Sequence, residues 1–254
     1  MLSAPPALEM RDLSRSFGAI AAVNAVDLAI TAGGVHAVIG PNGAGKTTLL
    51  DLLSGELRCD AGRVHLQGRD VTRLPPDRRA RLGLGRSFQR AGVFPDLEVA
   101  EGCRLAAQAG RIRGWRRFNP VLRDATIDRA AGEALTAVGL AGRAGVPAGS
   151  LSFGEQRQLE LAMLLAGGAE VLLLDEPLAG MGAAESRRMA ALIQGLGRTR
   201  TIVLVEHDVD AVFAIADTVT VLVAGRVLET GLPDAIRESE AVQEAYLTPG
   251  RARG

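Results

Sequence analysis

The segment Gly40-Pro41-Asn42-Gly43-Ala44-Gly45-Lys46-Thr47 has the make-up of a phosphate cradle. Its glycines let backbone N–H groups turn inward onto phosphate oxygens, and a helix beginning at its end adds favourable partial charge. Lys46 can then reach the β- and γ-phosphates of a nucleotide, and the Thr47 hydroxyl can ligate Mg²⁺. Thr48 completes the set read as nucleotide-binding. Of the 29 Lys and Arg residues Lys46 is the one lysine, every other being arginine. Arginine bias reflects genome composition first. Even so, the remaining lysine falls where a compact ammonium is needed and a planar guanidinium would not serve.

A phosphate loop needs a second strand that carries acid. Val171-Leu172-Leu173-Leu174-Asp175-Glu176 supplies four apolar residues for a buried strand and two carboxylates at its C-terminal end, where open α/β sheets bind ligands. Asp175 is expected to hold Mg²⁺, and Glu176 to orient or deprotonate the attacking water. His207 follows another apolar run, in Val205-Glu206-His207-Asp208, and is expected at the same rim beside the γ-phosphate. His36 and His65 read as structural. In Leu151-Ser152-Phe153-Gly154-Glu155-Gln156, Ser152 reads locally as a helix N-cap with Glu155 closing a capping box. The same helix start would equally suit a phosphate, and with one cradle already present that phosphate would belong to another subunit's nucleotide.

The elements that must position these groups follow from the apolar pattern. Leu8 to Leu13, Ala25 to Ile30, Val35 to Ile39 and Arg63 to Gln67 read as strands, and a helix runs from the phosphate loop to Gly55. Helical spacing marks Val99 to Ala109 and Ile127 to Leu140, with the basic stretch Arg111-Ile112-Arg113-Gly114-Trp115-Arg116-Arg117 between them. A helix from Gly154 to Ala166 precedes the strand Val171 to Leu174, and further strands are expected at Ile202 to Val205 and Val219 to Val223. Continuous apolar runs alternating with helices predict a parallel sheet covered on both faces. From Leu232 onward the chain reads as short and helical.

Composition narrows the remaining choices. The 254 residues suit one large domain or a domain with an inserted lobe. Lys and Arg balance Asp and Glu at 29 each, which removes any overall pull toward nucleic acid. Aromatics at 3% leave few platforms for stacking bases. Cys59 and Cys103 read as packing residues, too few for a disulfide framework or a four-cysteine zinc site. No run of about 18 uncharged apolar residues marks a membrane span, nor does the N-terminus read as a secretory signal. A cytoplasmic protein is expected, one that meets a membrane only through a partner.

The phosphate loop, Gln89, the segment Leu151–Gln156, Asp175-Glu176 and His207, in this order, resemble the nucleotide-binding subunit of ABC transporters. The resemblance implies an α/β phosphate-loop NTPase: a mixed or parallel core sheet, an antiparallel N-terminal β region and an inserted helical lobe. Residues 1–254 would form one such domain, with 1–90 and 151–254 as core and about 91–150 as the helical part. It implies ATP and Mg²⁺ as ligands, and a head-to-tail dimer with itself or a homologous ATPase. Each ATP would lie between one subunit's loop and the Ser152, Gly154 and Glu155 of the other. Phe17 matches the aromatic that stacks on adenine, with Val23 beside it, and Gln89 the glutamine that contacts Mg²⁺ and faces the membrane domain. Two multi-spanning permeases, a substrate-binding protein indirectly, and a peripheral place on the cytoplasmic face of the membrane follow from the same resemblance.

Two segments depart from the family pattern. Phe153 stands where a second glycine is usual, with Glu155 in place of glutamine, and Gly182 ends a segment that commonly ends in aspartate. A side chain as large as Phe153 must point away from the nucleotide. Asp175 to Gly182, Gly85-Arg86-Ser87-Phe88-Gln89 and the basic insert near 104–124 look like importer ATPases for branched-chain or other hydrophobic amino acids. Urea and short-amide importers share much of this pattern. Lipopolysaccharide-export ATPases are more compact at the insert, and soluble ABC ATPases of translation or repair usually carry a second cassette or a long coiled coil.

Overall fold

The computed structural model describes residues 5–88, 92–111 and 124–247. Gln89 and most of the basic stretch from Arg111 to Arg117 therefore lie outside the described residues. Two sheets organise the described residues. The first is antiparallel and N-terminal, with β1 (Leu8–Phe17), β2 (Ile20–Ile30), β4 (Ala61–Leu66) and β5 (Arg69–Asp70) in the order β2-β1-β4-β5. The second has the order β10-β9-β3-β8-β7-β6, built from β3 (Gly34–Ile39), β6 (Leu84–Arg86), β7 (Val171–Asp175), β8 (Thr201–Val205), β9 (Thr218–Val223) and β10 (Arg226–Gly231). All its neighbours run parallel except β10 against β9, so the sheet is mixed.

The continuous apolar runs of the core strands serve two layers at once. Val38, Leu173, Val203 and Val205 face one apolar cluster, which also holds Leu8, Met10 and Val26 of the first sheet and Leu49, Leu50, Leu52 and Leu53. These four leucines belong to α1 (Lys46–Ser54), which is thus packed between the two sheets. Ala37, Ile39, Leu172, Leu174, Ile202 and Leu204 face the other way. There they meet residues of α3 (Val99–Arg111), α4 (Ala125–Ala137), α5 (Phe153–Ala166) and α6 (Ala183–Gly197). A two-residue period in each strand assigns alternate side chains to the two clusters.

The C-terminal end of α1 is fixed by a buried arginine. Arg79, at the end of α2 (Pro76–Ala80), donates to the carbonyls of Leu52 at 2.7 Å and Leu53 at 2.6 Å, and also to Leu74 and Thr72. A guanidinium there satisfies orphan carbonyls and faces the negative end of the helix dipole. Beyond the core sheet, α7 (Val209–Ile215) links β8 to β9, and α8 (Pro233–Glu238) and α9 (Glu240–Leu247) close the described chain.

The structure differs from the sequence pattern in instructive places. β10 carries no buried side chain and β6 has three residues, so neither gave an apolar signal. Because an antiparallel sheet needs only one apolar face, β1 and β2 run past their apolar cores. α4 stops at Ala137, short of Leu140, where the chain turns through Gly139 at φ 79°.

Candidate active site

Three core strands end side by side. In the register of the sheet, Val38 of β3 pairs with Val205 of β8, and Val205 pairs with Asp175 of β7. The residues that follow these positions, the phosphate loop, Glu206-His207 and Glu176, therefore emerge together at the C-terminal edge of parallel strands. That edge is where an open α/β sheet offers its crevice.

The loop's glycines are demanded by close approach. A Cβ on Gly45, which sits at φ 99°, would lie 2.1 Å from the Ala22 carbonyl oxygen, and one on Gly40 would lie 2.1 Å from that of Leu222. Among the described residues no side chain caps the start of α1, and its first turn holds no acid, so its leading amides are open to an anion. Lys46 is buried, and its ammonium donates to the carbonyls of Gly40 at 2.8 Å and Pro41 at 3.1 Å. Burial lowers its pKa, with Glu176 and then Asp175 opposing. Thr47 is exposed and Thr48 half-buried at the first turn of the helix.

Asp175 is 1% exposed, and its backbone amide donates to the hydroxyl of the equally buried Ser87 at 3.2 Å. One carboxylate oxygen lies 3.7 Å from Nη2 of Arg86, which is paired with Asp51 of α1 as well. The other oxygen, Oδ1, is buried with no hydrogen-bond partner among the described residues. Burial pushes the Asp175 pKa up and Arg86 opposes it. A buried carboxylate oxygen without a donor is costly unless a cation meets it, and this atom fits Mg²⁺. Among the described residues no three His, Cys, Asp or Glu side chains gather to hold a metal unaided. That suits an ion that takes its remaining ligands from phosphate and water.

Glu176 has a φ of 50°, a left-handed conformation that costs a residue with a side chain about 1–3 kcal/mol. The turn is held by its amide, which donates to the Val205 carbonyl at 2.8 Å. It carries the side chain out of the strand line to His207, whose Nε2 donates to Oε1 of Glu176 at 2.6 Å. Glu206, only 4% exposed, fastens both sides of this pair. It accepts from the amide of Leu178 at 2.7 Å and from that of His207 at 3.1 Å. Burial raises the Glu206 pKa against those two bonds.

At the start of α5 the capping box is complete. The Ser152 amide donates to Oε2 of Glu155 at 2.8 Å, and the Glu155 amide donates to the Ser152 hydroxyl at 3.3 Å. Arg143 lies 3.4 Å from the other Glu155 oxygen. The Glu155 carboxylate is thus committed to its own chain, and it orients Ser152 instead of offering itself to a phosphate. A surface hollow of about 380 Å³ opens here, lined by Ser152, Gly154, Glu155, Met181 and Glu185 among others. The Phe153 ring lies back along the helix, with the Arg157 guanidinium 5.6 Å from its centre. It also abuts Gly180, where an added Cβ would stand 3.4 Å from the ring. Gly182 is the N-cap of α6 and gives it no side-chain cap.

Phe17 is 49% exposed at the end of β1, with the Arg15 guanidinium 5.2 Å from its ring centre. Val23 is a correction: it is fully buried in the cluster around α1, so it serves the core and not the site. Residues the sequence did not single out are Ser87, Glu206, and the buried pair Arg157 and Glu160. A charged residue on the apolar face of α5 was the one signal for that pair.

Comparison with known proteins decides the family. The family model described as ABC transporter matches residues 23–179. The chain belongs to the ABC transporter family. It is 36% identical over 251 residues to the high-affinity branched-chain amino acid transport ATP-binding protein LivG of Salmonella typhimurium, covering 95% of this chain and 98% of that one. To the corresponding protein BraF of Pseudomonas aeruginosa it is 34% identical, with the same coverage. Among solved structures, the ADP conformation of MJ1267, an ATP-binding cassette of an ABC transporter, superposes with a TM-score of 0.83. That match has 24% identity and covers 94% of this chain and 98% of the other, and it shows the fold. The ABC cassette is therefore that of an ATP-binding, ATP-hydrolysing transporter subunit. Among the described residues no helix is long and apolar enough to cross a membrane.

Proposed function

We propose that this ATPase energises uptake of branched-chain or other hydrophobic amino acids through partner permeases. The similarity to LivG and BraF along nearly the whole chain carries the cargo assignment. For the chemistry, the supporting observation is the 2.6 Å contact between His207 and Glu176, beside a buried Asp175 oxygen that meets no donor among the described residues.

Lys46 binds the β- and γ-phosphates from inside the loop, and the amides that open α1 surround them. Thr47, Asp175 and, by resemblance, Gln89 would hold Mg²⁺, and Phe17 stacks on the adenine. Bound there, Mg²⁺ supplies positive charge against the phosphate oxygens. Glu176 accepts a proton from the water whose oxygen bonds to the γ-phosphorus as the bond to the β–γ bridging oxygen breaks. His207 fixes the Glu176 rotamer and lies within reach of the γ-phosphate. Electrostatic positioning does most of the work in such a transfer.

The α5 terminus acts on the nucleotide of an opposing subunit, either a second copy or a homologous ATPase arranged head to tail. Ser152 and the Gly154 amide face its γ-phosphate. Two permeases, a substrate-binding protein beyond them, and a peripheral position at the cytoplasmic membrane face complete the assembly, without nucleic acid.

The test is purification from native membranes in mild detergent, followed by uptake of labelled leucine, isoleucine and valine in cells lacking this chain. Recovery of two multi-spanning permeases and loss of uptake, restored by the wild-type chain but not by Lys46→Ala, are expected. Intact amino-acid uptake together with loss of urea uptake, or recovery with lipopolysaccharide-export proteins or ribosomes, would overturn the cargo assignment and leave the ATPase chemistry standing.

A further inference from the structure

We infer that Arg157 and Glu160 are positioning residues that fix both ends of the segment carrying Gln89. Both side chains are buried, at 4% and 6% exposure, and stand one turn apart on the same face of α5. The Glu160 carboxylate accepts from the backbone amide of Phe88 at 3.0 Å and also from that of Gly92. These residues flank 89–91 on its two sides. Arg157 donates to the Phe88 carbonyl and, at 3.1 Å, to the second Glu160 oxygen. Phe88 therefore has its donor and its acceptor both satisfied by one ion pair.

Burying two charges costs several kcal/mol per ion before pairing, so a pair aimed at a loop's backbone is an expensive way to hold a helix. α5 does not need it, since its apolar residues already pack in the core. The receiving segment leaves β6 at Arg86, which meets the Asp175 carboxylate, and the next residue, Ser87, accepts from the Asp175 amide. The clamp thus sets where the chain goes immediately after it leaves the proposed metal-binding residue. At its other end, Arg157 lies over the Phe153 ring, which abuts Gly180 in the loop that follows Glu176. Since α5 also carries Ser152 in its cap, a shift of this helix is delivered to Phe88 and Gly92.

This rests on the reading of Gln89 as a group of the nucleotide site. Glu160→Gln keeps the shape but turns one acceptor into a donor facing donors. The paired variant Arg157→Gln with Glu160→Gln keeps the charge balance if the single one folds poorly. Steady-state ATPase kinetics, thermal melting and amide exchange are read for each, alone and with Gln89→Ala. Turnover is expected to fall about tenfold with KM for ATP within twofold, the cost of a misplaced group. Exchange protection at Phe88 and Gly92 should be lost, and in the Gln89→Ala background the same change should alter turnover less than twofold. A tenfold loss that persists in that background, or unchanged turnover, would overturn the inference. Wild-type turnover in Gln89→Ala alone would remove Gln89 from the site, and this inference with it, without touching the cargo assignment.

Discussion

The edge of the core sheet and the start of α5 are both places where a helix terminus can meet a phosphate, yet they are built in opposite ways. At the sheet edge, among the described residues, the α1 terminus has no side-chain cap and an acid oxygen lacks a donor, while a lysine is buried within the loop and Glu176 is held in a strained conformation. At α5 the terminus is exposed and satisfied by its own Ser152 and Glu155, with Arg143 on the far oxygen. The first region stores unmet interactions that a ligand would complete. The second is stable by itself and, on the proposed reading, would act only when another molecule brings a phosphate to it. A composite site divided between subunits needs this asymmetry, because each half must fold before the two meet.

The largest effect should come from the sheet edge. Lys46→Ala is expected to weaken ATP binding at least about a hundredfold, the scale of losing a preorganised electrostatic contact, and calorimetry would show it. Unchanged affinity would mean that the loop does not hold the phosphates. Glu176→Gln should leave ATP affinity in place while turnover drops about 10²- to 10³-fold, the range for a lost general base. It should also accumulate an ATP-bound dimer on gel filtration, and turnover at the wild-type rate would take Glu176 out of its role.

At α5 two substitutions separate capping from phosphate binding. Ser152→Ala removes the cap and should cost about 1 kcal/mol of stability, seen in chemical denaturation. Ser152→Asp retains a cap acceptor but puts a carboxylate where the partner's phosphate must sit. It should melt like wild type and turn over more than tenfold slower; wild-type turnover would leave the terminus a cap and nothing else. The smallest effect belongs to α6, where Gly182→Asp supplies the missing cap and should add a few tenths of a kcal/mol. A destabilised variant would mean that the Gly182 backbone is constrained by something other than the helix start.

What was legible in the sequence was whatever sits in one short stretch of chain. The phosphate loop, Asp175-Glu176, Ser152 with Glu155, and His207 each carry their own local signal of glycine spacing, apolar run or cap. The supports of the site were not legible, because each joins distant residues: Ser87 to Asp175, Glu206 to Leu178, Glu160 to Phe88. Val23 was misplaced for a different reason. Val23, Val26, Leu28 and Ile30 are the buried positions of β2, so it belongs to the sheet's inner face and not to the exposed end that carries Phe17. β10 shows the converse limit, since a strand with no fully buried side chain leaves only a faint apolar trace.

The division between the two regions is tested most directly by titrating ATP into Ser152→Asp at concentrations where the chain is monomeric. Affinity within twofold of wild type, together with lost turnover, is the expected result, since the nucleotide would be held by the sheet edge of the same chain. A loss of affinity approaching that of Lys46→Ala would place the α5 terminus on its own chain's nucleotide and contradict a site shared between subunits.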